Sequence, residues 1–538
     1  MTKRPNALLY LIDALRFDVV ADIAAMRVLT PALARVAERG ITRRVVANAQ
    51  STQFVLPSLF SQTYPLDYGG YNNGIRERPA TFVECLQNAG YETHLVGTCN
   101  QMGISLSYDR GFDTVHSAVD YRHLIRYRIE KTLQYEISLI DRGEQTEAEA
   151  IGKIVTEMRL LLETVLSVDA QLDKSMWPRR LRKLNDKIVA ACPGELKILE
   201  ETPESIIWKL RSLPSGLVWR SLGLTKIGRF QRLYWRIRES LNWRSREFFM
   251  TIGFPLFPLG YIQTLASDAT KGLQSIIAGA KKSWFVHTHF MDAHDCRSLS
   301  RPLRSLYRLK FLPRWLGAKR ANLTQRKFLY DAALMDVDEQ FEKLLNQIEA
   351  DGQLENTIIV ITGDHGYAYA YSPRNEKKDL GFRTHFEDID VGLIVAGGDL
   401  TEAKSEGLVD SMAVTATLLD ILEVPPHPSF KGRSLLRDTR THVVSENGGR
   451  GNADLERRDL FFTVTSEKYK LMAALKGDTL VPSELYDLSA DPLELSNLVE
   501  DSSLASAKEA LLSVLKGERA DLFAMRGLVE PSHAASAC

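Results

Sequence analysis

Thr357-Ile358-Ile359-Val360-Ile361-Thr362-Gly363-Asp364-His365-Gly366-Tyr367 is the stretch whose reading decides the fold. Its first half is apolar and β-branched, the composition of a strand buried on both faces. It then breaks into a carboxylate, an imidazole and two glycines. Glycine opens backbone geometries closed to other residues, so this turn can pass close to a bound ion or ester. Adjacent Asp and His offer an oxygen and a nitrogen ligand to a divalent metal. An ordinary capped turn uses the same letters, so the weight falls on matching pieces elsewhere.

Such pieces occur. Ala7-Leu8-Leu9-Tyr10-Leu11-Ile12 is a second wholly apolar run and stops at Asp13, with Arg16 beyond. Further strands are expected over 92–97, 283–290 and 391–396. Helices are expected between them, over 31–39 with Thr30 as N-cap and Pro31 first in the helix, and over 328–348. Strands alternating with helices predict an α/β fold, a mostly parallel sheet sandwiched by helices. Ligands gather at the carboxyl ends of such strands, where Asp13, Asp292 and Asp364 fall.

The chain has 538 residues, enough for one large core with appendages. Formal net charge is zero, so no global field argues for nucleic acid, and none is expected as a partner. The five cysteines are scattered without a CxxC pair, which suggests a reduced environment. The first apolar run is too short for a signal-peptide core, and no run has transmembrane length. These features predict a cytoplasmic protein, with contact to the inner face of a membrane as an added expectation.

Five segments are expected. Residues 1–114 and 281–436 form the two parts of the core. Residues 115–280 form a helical, basic and aromatic insertion. Residues 437–526 form a small α+β unit with an antiparallel sheet (strands near 442–445, 460–464 and 469–472, then a helix over 504–523), and 527–538 a flexible tail. Between Trp208 and Tyr261 the insertion carries many arginines and lysines against only Glu239 and Glu247, with Trp208, Trp219, Trp235 and Trp243 interleaved. Basic charge with interfacial aromatics suits a helix lying on an anionic bilayer. A helical cap with core tryptophans and solvated arginines explains the same letters.

The chemical candidates are Asp13, the Ser51-Thr52 pair, Asp292, His294, Asp364, His365 and His385, with Asn100 on the substrate side or as a plain turn residue. Carboxylates, histidines and a hydroxyl at strand ends suit metal-assisted ester cleavage. A metal on a Thr or Ser oxygen makes the alkoxide accessible, and a histidine can protonate the leaving oxygen. His287 and His289 read as one face of a strand and are left out of the site.

Four stretches resemble the sulfatase branch of the alkaline phosphatase superfamily, in the family's order. They are Leu8 to Arg16, Leu56-Pro57-Ser58 with Tyr64-Pro65 beyond, Gly363-Asp364-His365-Gly366, and Glu484-Leu485-Tyr486-Asp487-Leu488 with Asp491-Pro492. The resemblance covers about 5–115 and 280–500 and implies an alkaline-phosphatase-like, metal-dependent core. It departs from the family at telling places. Val55 stands where sulfatases carry the cysteine matured to formylglycine, and Ala14 where a second aspartate is usual. Thr98-Cys99-Asn100 replaces a Lys/His pair. The pattern is similar to the phosphoethanolamine and phosphoglycerol transferases, whose threonine nucleophile falls at Thr52, with Ser51 as the other candidate. The resemblance implies Asp13, Thr52, Asp364 and His365 around one divalent ion (Ca, Mn, Zn or Mg). It places Asp292, His294, His385 and Asn100 on the substrate side, with Thr52, His294 and His385 in the chemistry. The expected activity is hydrolysis of sulfate or phosphate esters through a covalent Thr intermediate, on a substrate that is a glycan or lipid-linked. Transfer to a glycan or lipid, and a degenerate glycan- or lipid-binding or membrane-surface scaffold, stand as the other readings.

Overall fold

The structure is a computed structural model. It describes residues 4–98, 106–175, 177–251, 264–296, 308–317, 325–368, 372–373, 384–398, 400, 406–438, 440–449, 454–456 and 458–528. Asn100, residues 252–263 of the insertion and residues 529–538 of the expected tail lie outside the described residues.

An eight-stranded sheet forms the centre, in the order β4-β3-β5-β1-β6-β7-β2-β8. Its strands are β1 (Asn6–Ile12), β2 (Gly40–Val46), β3 (Glu92–Gly97), β4 (Thr114–Ser117), β5 (Trp284–Phe290), β6 (Thr357–Thr362), β7 (Asp390–Ala396) and β8 (Val409–Asp410). The strands β1, β3, β4, β5 and β6 pair in parallel, and β7 runs antiparallel to both β6 and β2. The mostly parallel sheet is therefore as expected, with β2, β4 and β8 added. These three escaped the sequence because β2 is interrupted by Thr42-Arg43-Arg44, and β4 and β8 are only four and two residues long.

The apolar run of β1 divides by strand periodicity. Leu8, Tyr10 and Ile12 enter one core with helices Pro31–Ala37 and Ala266–Gly279 and the long helix spanning 325–350. Ala7, Leu9 and Leu11 enter the other, with helices Thr52–Ser61, Phe82–Asn88 and Ser411–Ile421. That second core continues into a four-stranded antiparallel sheet, β9 (His442–Asn447), β10 (Leu460–Ser466), β11 (Tyr469–Lys476) and β12 (Thr479–Asp487). The expected closing helix is two, Ala505–Glu518 and Ala520–Met525.

The insertion has its own core, built from residues between Ala118 and Trp235. It leaves the sheet at the carboxyl end of β4, where Trp177 donates to the Ser117 carbonyl at 3.1 Å. Helix Ala266–Gly279 packs on the sheet and not in this core.

The expected N-cap Thr30 makes no side-chain capping bond. Asp338 accepts instead from the Leu33 and Ala32 amides at 2.9 and 3.3 Å, so a distant helix caps this one.

Candidate active site

Parallel strands deliver their carboxyl ends to one rim, and the rim collects the candidates. Asp13 follows β1, Asp292 and His294 follow β5, and Asp364 and His365 follow β6. Antiparallel β7 brings its amino end there, so the segment before it, His385 to Ile389, borders the same rim. Gly366 donates its amide to the Asp388 carbonyl at 2.8 Å.

The glycines of the Gly-Asp-His-Gly turn are required by crowding. A Cβ on Gly366 would lie 2.3 Å from the Glu387 carbonyl oxygen, and one on Gly363 would lie 2.8 Å from that of Leu15. Neither glycine has a positive φ. Ala14 does, at 65°. It is held there from both sides, by donation of its amide to Asp364 Oδ1 at 3.0 Å and by Tyr330 Oη donating to its carbonyl at 2.7 Å. Tyr330 was not anticipated.

Thr52 is the first residue of helix Thr52–Ser61, with Ser51 as N-cap. The Thr52 hydroxyl donates to Asp13 Oδ2 at 3.0 Å and lies 3.2 Å from His365 Nε2. His365 Nδ1 faces the Gly366 carbonyl at 2.6 Å. A carbonyl only accepts, so Nδ1 carries the hydrogen and neutral His365 presents a lone pair at Nε2. Ser51 makes no capping bond with its side chain. Val55 is fully buried in the hydrophobic core.

His289, read as a strand-face residue, belongs to the site. Its Nε2 lies 3.1 Å from Asp13 Oδ2 and 3.9 Å from Asp364 Oδ2. The signal was available, because His289 is one residue from the end of β5. The strand-end rule that picked Asp13 applies to it equally. His287, two residues earlier on the same face, packs edge-on against Phe60 at 5.3 Å and is a core residue.

His294 closes the cluster from outside, its ring 5.9 Å from that of His365 and its Nδ1 3.2 Å from Asp295 Oδ1. Burial alone would lower its pKa. The Asp13 charge, the Asp295 hydrogen bond and the Asp364 charge outweigh that and push it up to about 10. Asp13 shows the reverse. Burial would raise it, but His294, His289 and His365 hold it well below the usual carboxylate range.

Two candidates carry structural bonds. Asp292 is buried, and its Oδ2 accepts from the Ala266 amide at 3.0 Å, anchoring the start of helix Ala266–Gly279. His385 sits at the N-cap of a short helix with Nε2 2.9 Å from Glu484 Oε2 and 3.4 Å from Tyr486 Oη. It ties the rim to β12, the strand that carries the C-terminal signature.

The donor set fits a cation. Each carboxylate spends one oxygen on anchoring. The others, Asp13 Oδ1 and Asp364 Oδ2, are buried and make no hydrogen bond among the described residues. Both lie 3.6 Å from His365 Nε2. Ligand atoms of Asp13, His289 and Asp364, and those of Asp13, His294 and His365, lie within 4.8 Å of one another. Two buried carboxylates facing each other without a lysine or arginine among the described residues call for a positive ion.

The sequence model of the Sulfatase family matches residues 5–189 and 216–424. It thus runs into the insertion, further than the motifs alone suggested. N-acetylglucosamine-6-O-sulfatase of Bacteroides thetaiotaomicron is 26% identical over 204 residues, 35% of this chain and 34% of its own length. N-acetylglucosamine-6-sulfatase of Bos taurus is 25% identical over 295 residues, 48% of this chain and 49% of its own. Choline-sulfatase of Rhizobium meliloti is 26% identical over 230 residues, 40% of this chain and 41% of its own. The chain thus spans about a third to a half of the length of these relatives. Among solved structures, the phosphonate monoester hydrolase of Agrobacterium radiobacter superposes with a TM-score of 0.56 at 15% identity, covering 96% of each chain. A putative sulfatase from Bacteroides thetaiotaomicron also gives 0.56 at 15% identity, covering 99% of this chain and 96% of that one. The fold is that of the alkaline-phosphatase-like sulfatases. A matched family model over more than half of the chain, on a rim with a hydroxyl, two carboxylates and histidines converging, makes this protein a member of the sulfatase family.

Proposed function

We propose that the chain is a metal-dependent hydrolase of sulfate or phosphate esters that works through a covalent Thr52 intermediate. The observation that carries this reading is the Thr52 hydroxyl at the start of a helix, 3.0 Å from Asp13 and 3.2 Å from His365. Asp13, Asp364, His365 and His289 would hold the divalent ion, which supplies positive charge against the developing anion and lowers the pKa of a hydroxyl beside it.

The residues divide the remaining work. Thr52 Oγ1 attacks the sulfur or phosphorus, forming one ester bond as the bond to the leaving oxygen breaks. Its proton passes to the acceptors already facing it. The partial positive charge at the helix N-terminus favours an anionic group bound there. His294 lies at the outer side of the cluster and delivers a proton to the leaving oxygen. Water then attacks the ester of Thr52 and regenerates the hydroxyl. His385 holds the C-terminal sheet against the rim and so shapes the substrate entrance.

Thr52 favours phosphate esters within this class. A hydroxyl nucleophile lacks the second oxygen of an aldehyde hydrate, and Val55 supplies no precursor for one. The N-acetylglucosamine-6-sulfatases among the relatives make sulfated amino sugars the first sulfate esters to try.

The test is a hydrolysis screen of metal-loaded protein on aryl sulfate, phosphate monoester, phosphate diester and phosphonate ester. Turnover of one class that falls at least about 1,000-fold in Thr52→Ala, with that variant still folded and binding metal, is the expected result. Equal turnover by wild type and Thr52→Ala sinks the covalent step.

A further inference from the structure

We propose that the outward face of helix Arg229–Thr251 docks on an anionic lipid bilayer. Phe230, Leu233, Tyr234 and Ile237 follow one another at helical spacing and form one apolar stripe. All four are exposed, Phe230 to 89% and Tyr234 to 58%. Large apolar side chains aligned on one face at this exposure mark a contact surface.

The helix is fixed by its other side. Trp235 is buried in the core of the insertion. The Arg232 guanidinium stacks on the Trp208 ring at 5.3 Å, and Arg236 donates to the Ser212 carbonyl at 2.7 Å. The stripe is therefore held outward by packing.

Charge selects the occupant. The helix sequence holds six arginines against two glutamates, in a chain whose formal net charge is zero. Arg229, Arg238 and Arg244 are exposed and make no ion pair among the described residues. A second copy of the chain on this face would set arginine against arginine. A protein interface with so many cations at its centre would also be unusual, since charged residues are depleted there. An anionic headgroup layer accepts both features at once: arginines meet phosphates while the stripe enters the acyl boundary. No described helix is long and apolar enough to cross a membrane, so contact is lateral.

Position gives the contact a purpose. The insertion leaves the sheet at the carboxyl end of β4, on the rim that bears the active site. His123, on the insertion's first helix, lies within electrostatic reach of Asp295, the neighbour of His294. Docking would tether the insertion, and through it the core, to a bilayer surface.

Sedimentation of the full chain with two kinds of vesicle tests this, one of phosphatidylcholine and one of equal parts phosphatidylcholine and phosphatidylglycerol. Wild type should pellet with the anionic vesicles only and be released by high salt. The triple variant Phe230→Ser, Leu233→Ser, Ile237→Ser should bind at least about tenfold more weakly. The variant Arg229→Gln, Arg238→Gln, Arg244→Gln should bind roughly 100-fold more weakly. An unchanged melting curve verifies that both variants are folded. Wild type left in the supernatant with anionic vesicles, or undiminished binding by either variant, overturns the proposal. So does light scattering that shows a dimer lost in the serine variant, which would assign the stripe to a second copy.

Discussion

Two pairs of buried carboxylates, held in the same molecule, are treated in opposite ways. Asp67 and Glu446 surround Arg519, whose guanidinium lies 2.9 Å from Asp67 and also pairs with Glu446. Lys431 adds a second cation 3.0 Å from Asp67. This cluster joins the loop after helix Thr52–Ser61, strand β9 and the C-terminal helices. Asp13 and Asp364 are as deeply buried, but among the described residues their ion-pair partners are histidines, and one oxygen of each has no hydrogen bond. The first pair is satisfied by protein and functions as a joint. The second is left short of positive charge and needs something from outside. Asp338 shows a third solution. Burial pushes its pKa up to about 7 against the pull of the Leu33 and Ala32 amides and the Arg314 charge, so it takes up a proton well above the usual carboxylate range.

Substitutions can break or sharpen that contrast. The largest expected effect is Asp364→Asn, which should reduce ester turnover by at least about 10,000-fold. The metal-free melting temperature should stay level or rise, because one of two facing like charges is gone. Turnover assays and thermal melts of the same preparation check both. Arg519→Met should do the converse. Stranding Asp67 and Glu446 should cost about 3–5 kcal/mol in urea unfolding, with turnover per folded molecule retained. If Asp364→Asn unfolds the chain while Arg519→Met does not, the contrast fails.

The Asp338 carboxyl titrates near 3.8 when unfolded and at about 7 when folded. The folded protein therefore binds an extra proton between these values, and stability should fall as pH rises from about 4 to about 7. The loss is at most about 4 kcal/mol at 1.36 kcal/mol per pH unit. Asp338→Asn should flatten that part of the stability–pH profile measured by urea titration. The smallest effect is at His287. Burial, with His289 beside it, holds it neutral and its ring nitrogens make no hydrogen bond among the described residues. His287→Phe should raise stability by about 1 kcal/mol and leave turnover intact, whereas His289→Phe should abolish it. Paired melts and assays of the two variants separate core from site on one strand.

Much of this was legible in the residues. The apolar runs ending at Asp13 and Asp364 placed two strand ends, and their alternation with helices implied a sheet whose rim would gather them. Thr52 was reached by its distance from Pro57 in a resembling motif. What the residues left open has one cause. Asp292 and His289 lie just past the end of β5 or on it, and sequence periodicity says which residues share a face, not what lies opposite; His287, on the same face as His289, is core as the strand pattern implied. The register of β5 against β1 decided that His289 sits beside Leu11, two residues before Asp13. The start of the preceding helix, Ala266–Gly279, engages Asp292.

Composition and local pattern alone determined strands β1, β3, β5, β6 and β7, helices between them and the stock of chemical groups, because hydrophobic periodicity and turn chemistry act over a few residues. Only the tertiary structure decided which carboxylates receive an arginine, which share histidines and which keep a proton. Those outcomes depend on distances between strand ends separated by hundreds of residues, and in a buried interior a difference of a few ångströms determines whether a charge is paired. The same holds for the insertion. Its arginines and aromatics were visible in the sequence, but packing alone turned Trp235 inward and left Phe230, Leu233, Tyr234 and Ile237 facing out.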